Sequence, residues 1–232
     1  HEALLAKYPG LIKEDMEWTY NFTGATLAQM TLLYASTTEY ILIFGTPVGS
    51  DGFSGRYPGM KVYDCMFSGE MWTYTEGQFQ KTIYLPGECA ILEPGMAKGY
   101  RMKEDTWMLE YTRGDIPAAL PIGVFAPTQL TQDWDNAWRV MKNYAERVAD
   151  SALKAGNVKL MLSRSICSGK YMILLAGDTA SVEAAIATAT TFTNSPTPIT
   201  FHASTSHRGQ ESRINSTARI AAVAPVTISK LR

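Results

Sequence analysis

"TWMLEYTRGDIP", residues Thr106 to Pro117, places one acid, Glu110, among large apolar side chains. Trp107, Met108, Leu109 and Tyr111 occupy both faces of what reads as a strand, so Glu110 is expected to face the protein interior. An ionised carboxylate is costly there, and the group is expected to find a partner or take a proton. Glu110 is therefore a candidate acid. A second acid, Asp64, lies in "KVYDCMF" and shares a strand face with Val62 and Met66. If both acids face one interior they can share a proton, one serving as acid and the other as base. Another reading stays open, in which each bonds a backbone amide or an arginine such as Arg56 or Arg113 and is purely structural. Tyr40, Phe44, Tyr57 and Trp107 either line a pocket whose ring faces suit a cation or fill a core.

The strand reading extends outward from this stretch. Between Thr37 and Tyr111, runs such as "EYILIFG", "VYDCMFSG", "MWTYTEG", "KTIYLP", "CAILEPG" and "GYRM" are separated by glycine and proline turns. Many short strands at near-regular spacing predict a mainly β domain, a barrel or sandwich. Residues 1 to about 34 read as helical, from Leu4, Leu5, Tyr8 and Leu11 to Leu27, Met30, Leu33 and Tyr34 at spacings of three and four. The glycines Gly45, Gly49, Gly52 and Gly55 read as turn formers, since no Gly-Lys-Ser/Thr follows them in register. From Asp133 a helical stripe runs through Trp134, Trp138, Met141, Ala145 and Val148. Beyond Ala155 the order strand, loop, strand, helix is expected, with Asp178 as helix N-cap. Thr188 to Ile220 is rich in Thr, Ser, Pro and Arg and reads as a disordered tail.

Composition narrows the function classes. With 21 Lys+Arg against 22 Asp+Glu there is no basic surface for nucleic acid. Histidine occurs only as His1, His202 and His207, so a domain spanning residues 2–201 has no Ser-His-Asp triad, Cys-His pair or histidine-ligated metal. Carboxylates, tyrosines and lysines remain for chemistry. Cys65, Cys89 and Cys167 form no CxxC pair and read as mostly buried thiols. The apolar run Ile116 to Leu130 holds Pro117, Pro121 and Pro127 and is too short to span a bilayer, though it could lie on one. Because the first residue is His1, an upstream targeting or membrane segment is expected to be missing from this chain.

"TTEYILIFGTPVGSDGFSGRY", "YLPGE" and "TWMLEYTRGDIP" resemble, in order, blocks of the fungal sterol isomerase that moves a ring double bond from position eight to seven, and of its relative the sigma non-opioid receptor. The likeness runs from about Trp18 to about Tyr144. It implies a cupin-like β-barrel with flanking helices over 1–148, a buried cavity, a membrane-associated protein of the endoplasmic reticulum, and a homotrimer. Carried over by motif, Glu110 matches the glutamate that meets the ligand's positive charge and Tyr40 the tyrosine that orients it. Asp64 matches the receptor's second acid, allowing one extra residue between Tyr57 and Asp64. Phe44, Tyr57, Trp107, Ile116, Leu120 and Tyr144 match cavity-lining positions, while Phe53 stands where the family usually carries His. The implied ligand is a sterol or hydrophobic amine. Acid isomerisation would use Glu110 and Asp64 as catalytic groups and needs no metal or organic cofactor.

Residues 149–189, "ADSALKAGNVKLMLSRSICSGKYMILLAGDTASVEAAIATA", are similar instead to bacterial microcompartment shell proteins. About half of one such small α/β domain is represented, leaving residues 190–232 as the polar tail. Cys167 stands where a few shell proteins bind an iron-sulfur cluster, but a lone cysteine reads as an incidental thiol. The non-catalytic alternative is therefore a structural or assembly subunit of a larger complex, with the barrel as scaffold. A large closed apolar cavity with both carboxylates exposed to it favours ligand binding; a cavity filled by side chains favours the scaffold.

Overall fold

The computed structural model describes residues 1–10, 12–167, 170–190, 201–204 and 219–223. The chain divides into two compact units, His1–Tyr144 and Ala145–Arg232. In the first, helix α1 (Glu2–Lys7) precedes strands β1 (Trp18–Asn21), β2 (Ala28–Ala35), β3 (Glu39–Phe53), β4 (Met60–Ser68), β5 (Met71–Tyr74), β6 (Thr82–Tyr84), β7 (Cys89–Leu92) and β8 (Gly99–Gly114). They form one eight-stranded sheet of order β1-β2-β3-β8-β4-β7, with β5 joined to β6 and β8. The registers are antiparallel throughout.

Thr106 to Gly114 lies at the centre of this sheet. The runs "GYRM" and "TWMLEY" are one strand, β8, which pairs with β3 along its length and with β4 and β5 on its other edge. Laid flat, the six-strand path would be about 24 Å wide at the usual strand spacing. Yet Met30 and Leu32 of β2 and Leu92 of β7 line the same cavity, so the sheet curls into a barrel-like wall. The cupin-like β-barrel with flanking helices expected from the sequence is the architecture of this unit.

Three local expectations are corrected. Leu27 to Tyr34 is not helical: most of it is β2, in which buried Thr31, Leu33 and Ala35 alternate with half-buried Met30, Leu32 and Tyr34. Both strand faces carry apolar groups, so alternation is masked and an accidental helical spacing remains. Nor is Gly45 a turn former. It lies within β3 opposite Trp107, and a Cβ there would come within 2.3 Å of the Thr106 carbonyl oxygen and 2.6 Å of the indole. Glycine at that position makes room for the ring.

The third concerns cysteine. Cys65 and Cys89 are not buried thiols but a disulfide joining directly opposed residues of β4 and β7. β7 is a sheet edge of four residues, so the bond ties down a strand with one hydrogen-bonded neighbour. Sequence spacing gave no sign of it, because the pairing follows from strand register. For a sequence separation of 24 the lost loop entropy predicts that the Cys65→Ser/Cys89→Ser variant is less stable by about 3 kcal/mol, seen as a lower urea midpoint.

After β8 the chain turns through a 3-10 segment (Ile116–Ala119), a π-helical segment (Pro121–Phe125) and helix α2 (Ala126–Thr131). Helix α3 (Trp134–Gly156) follows, its start capped by Asp133 Oδ1, which accepts the Asn136 N–H at 3.0 Å. Met141 and Tyr144 are buried on α3, whereas Trp134, expected on the packing stripe, is exposed. Among the described residues no helix is long and apolar enough to cross a membrane.

The second unit takes the last part of α3, then β9 (Lys159–Cys167), β10 (Lys170–Gly177), α4 (Thr179–Thr190), β11 (Phe201–Ser204) and β12 (Arg219–Val223). Its sheet has the order β11-β12-β10-β9, and Asp178 Oδ1 accepts the Ser181 N–H at 3.0 Å at the start of α4. Ala149, Ala152 and Ala185 form its small core. Much of the polar tail 190–232 lies outside the described residues; its described parts, β11 and β12, pair in this sheet.

Candidate functional site

Strand alternation decides what Glu110 faces. On β8, Met108 and Glu110 point to the inner side of the curled sheet and border a cavity, while Leu109 and Tyr111 do not border it. β4 runs antiparallel beside β8 with Asp64 directly opposite Glu110, so the two carboxyl groups share that inner face. Residues 46 positions apart in sequence thus meet as a cross-strand pair of acids.

The cavity has a volume of about 170 Å³. Its apolar lining includes Leu42, Phe44, Val62, Ile116 and Leu120 and the methionines Met30, Met60, Met71 and Met108, and polar side chains such as Tyr40, Lys98 and Asn143 border it as well. That volume is below the roughly 300–1,000 Å³ of pockets that enclose drug-sized ligands. Methionine is the most deformable apolar side chain, so a lining rich in it can yield to a larger guest.

Around the acids the polar contacts are specific. The Tyr40 hydroxyl donates to Glu110 Oε1 at 2.5 Å. Lys98 Nζ donates to Asp64 Oδ2 at 2.5 Å, with side chains only 7% and 9% exposed. The backbone of Lys98 is clamped to Ser54 by two 2.9 Å hydrogen bonds, one to its hydroxyl and one from its amide, which aims the ammonium inward. Near the helical wall, the buried Asn143 borders the cavity with Oδ1 unpartnered, an acceptor that a ligand donor would satisfy.

Electrostatics separate the groups. Burial and then the neighbouring Asp64 charge push the Glu110 carboxyl up to about 7, opposed by the Tyr40 hydrogen bond and the Lys98 charge. Glu110 retains some accessible surface, but it borders the cavity and its carboxyl is enclosed by protein. Burial, then the Glu110 charge, holds Tyr40 well above the ordinary phenol range. Tyr57 and Tyr100 are raised chiefly by burial. At neutral pH the tyrosines are therefore neutral hydrogen-bond donors, and Glu110 is the group poised to exchange a proton.

The structure brings together most of the residues selected from sequence. Glu110, Asp64, Tyr40, Phe44, Tyr57, Ile116, Leu120 and Tyr144 all border the cavity. Trp107 does not, which corrects its expected lining place: as an odd-numbered neighbour of Glu110 it occupies the other face of β8, edge-on to Trp18 at 5.7 Å between ring centres. The arginine partners considered for the acids are also replaced. Arg56 pairs with Glu76, and the counter-charge of Asp64 is Lys98. Sequence reasoning missed Lys98 because "PGMAKGY" reads as a solvated turn, with no periodic signal to turn its side chain inward.

Residues 1–155 match the family described as ERG2 and Sigma1 receptor like protein, and residues 145–202 match the BMC domain. A protein erg2 homolog of Dictyostelium discoideum is 40% identical over 57% of this chain and 57% of its own. The sigma non-opioid intracellular receptor 1 of Gallus gallus is 35% identical over 62% of this chain and 65% of its own. The C-8 sterol isomerase of Neurospora crassa is 33% identical over 62% and 56%. The chain thus spans under two thirds of the length of these relatives. Among solved structures, an RmlC-like cupin from Shewanella frigidimarina shares 15% identity over 44% of this chain and 86% of its own, at a TM-score of 0.37.

Proposed function

The chain belongs to the ERG2 and Sigma1 receptor like protein family, and from that premise we propose that its barrel cavity binds a sterol or a hydrophobic cationic ligand and isomerises a sterol ring double bond. One observation carries this reading: a buried carboxyl with its pKa near 7 faces an apolar cavity beside a second carboxylate. Such a group is protonated often enough to give a proton and ionised often enough to take one.

The chemistry balances on one residue. Protonated Glu110 gives its proton to one alkene carbon; the π electrons form the new C–H bond and leave a carbocation on the adjacent carbon. The Glu110 carboxylate, held by Tyr40, then removes a proton from the next carbon, and the C–H electrons become the displaced double bond. No proton is gained or lost overall. The Glu110 carboxylate left by the first step is the counter-charge of the cation, and the dry cavity strengthens their attraction between the two steps. A protonated amine resembles that cation in charge, which is why one cavity serves both ligand types. Its entry calls for the methionine lining to move aside, and the exposed Leu27, Leu130 and Trp134 are apolar side chains that this reading sets against a membrane.

The direct test is incubation of the purified protein with a delta-8 sterol, followed by chromatographic analysis of the product. Appearance of the delta-7 isomer is the expected result; a sterol that neither binds nor changes removes the reading. A second reading applies to residues 145–202, whose BMC match supports an assembly role. Native mass of the full chain measured at rising concentration checks it, assembly beyond a small oligomer being the expected outcome.

A further inference from the structure

The buried ion pair beside Glu110 has a chemical consequence that depends on the charge of the ligand. We propose that Lys98 is a positioning residue that sets the charge of the cavity: by pairing with Asp64 it makes a cationic ligand displace the Glu110 proton on binding, whereas an uncharged ligand leaves that proton in place. This deepens the ligand-binding reading and rests on it.

The groups facing Glu110 come from every wall. Tyr40 approaches from β3, Asp64 from β4, Lys98 and Tyr57 from the loops before β8 and β4, Tyr100 from β8 itself, and Tyr144 borders the cavity from α3. Burial keeps all four tyrosines neutral at physiological pH. Asp64 and Lys98 form a direct ion pair and cancel. What remains is Glu110, whose carboxyl lies near the midpoint of its titration at neutral pH.

The charge count follows. With Glu110 protonated, the trio of Asp64, Lys98 and Glu110 sums to zero, and an uncharged sterol meets a neutral pocket that holds a proton ready to give. An ammonium group would raise the sum to one positive charge in a dry cavity, which is strongly disfavoured. Loss of the Glu110 proton returns the sum to zero. Without Lys98 the two carboxyl groups would share one proton and carry one negative charge, as close carboxylates do, and an ammonium would enter with no proton released. Lys98 therefore ties cation affinity to pH and reserves the protonated pocket for neutral ligands.

The test uses the full chain as wild type, Lys98→Met and Lys98→Arg, with N,N-dimethyldecylamine as a probe that stays charged throughout. Calorimetry between about pH 6 and 8 in buffers of different ionisation enthalpy reads affinity and proton release together. For the wild type, amine affinity is expected to rise about tenfold per pH unit below the Glu110 midpoint and level off above it, with proton release. Lys98→Met should bind with a flat profile and release none, and Lys98→Arg should restore both. A Lys98→Met protein that keeps the wild-type slope overturns the proposal, as does a wild-type affinity independent of pH, which needs no variant.

An independent readout separates failure of this inference from failure of the ligand reading. The infrared band of protonated carboxyl in the ligand-free protein should titrate near pH 7 in the wild type and move upward by about a unit or more in Lys98→Met, where the opposing ammonium is gone. That shift without amine binding to any of the three proteins would remove the ligand reading and leave the control of charge by Lys98 standing. An unmoved band overturns the inference whatever binds.

Discussion

Glu110→Gln is expected to lower sterol isomerisation by about 10²–10⁴-fold, the usual contribution of a positioned acid or base, while leaving the fold intact. Glutamine preserves shape and still accepts the Tyr40 hydrogen bond, so the packing that surrounds Glu110 has no reason to collapse. It cannot give or take a proton, and it cannot balance an ammonium, so amine affinity should fall with activity. The stability change has the opposite sign. The Glu110 carboxyl is raised from 4.5 in the open chain to about 7 in the folded protein, so the folded state binds the proton more tightly. Its contribution is full below the open-chain value and is lost as pH rises through the folded value. Wild-type stability should therefore decline between those two pH values by about 3 kcal/mol, and Glu110→Gln should remove the decline. Urea unfolding at pH 5 and pH 8 alongside product analysis reads both effects. A variant with undiminished turnover would remove Glu110 from the proposed chemistry, and a wild type whose stability is unchanged across that range would remove its raised carboxyl.

The second large effect belongs to Asp64. Asp64→Asn removes the counter-charge of a lysine that is 6% exposed, and breaking a buried ion pair from one side costs about 3–5 kcal/mol. The expected loss lies near the lower end, about 3 kcal/mol, because Glu110 can ionise and become the new partner of Lys98. That rescue has a catalytic price: without the Asp64 charge, and with Lys98 facing it, Glu110 loses the proton it would donate. Isomerisation should then fall at neutral pH and recover partly in acid, moving the rate profile to lower pH. A double cycle with Lys98→Met separates pair from singles, since the two losses should add to more than the double variant shows. Strict additivity, with an unshifted rate profile, would mean that Asp64 and Lys98 do not act on Glu110 as a unit.

Much of this arrangement was legible because local patterns report burial. A lone glutamate between Trp107 and Tyr111 had to be unusual whatever lay around it, and the strand runs from Glu39 to Gly114 carry enough β-branched and aromatic residues to declare a mainly β domain. The motif blocks carry the family resemblance in the chain itself. The helical reading of Leu27 to Tyr34 failed for a local reason too: a strand buried on both faces has no clean alternation to show.

Legible in the chain alone are the strand character of the barrel, the oddity of Glu110 and Asp64, and the absence of histidine from residues 2–201. Tertiary structure alone decided which side chains meet. The register of β4 against β8 sets Asp64 opposite Glu110, the register of β4 against β7 joins Cys65 to Cys89, and the clamp on Ser54 turns Lys98 from an apparent surface turn into a buried counter-ion. Local propensity acts over a few residues, whereas these pairings close loops of tens of residues and depend on how the whole sheet curls. The same distance explains Trp107, whose apolar character was evident from the chain but whose side of the sheet was settled only by the alternation that points its neighbour Glu110 inward.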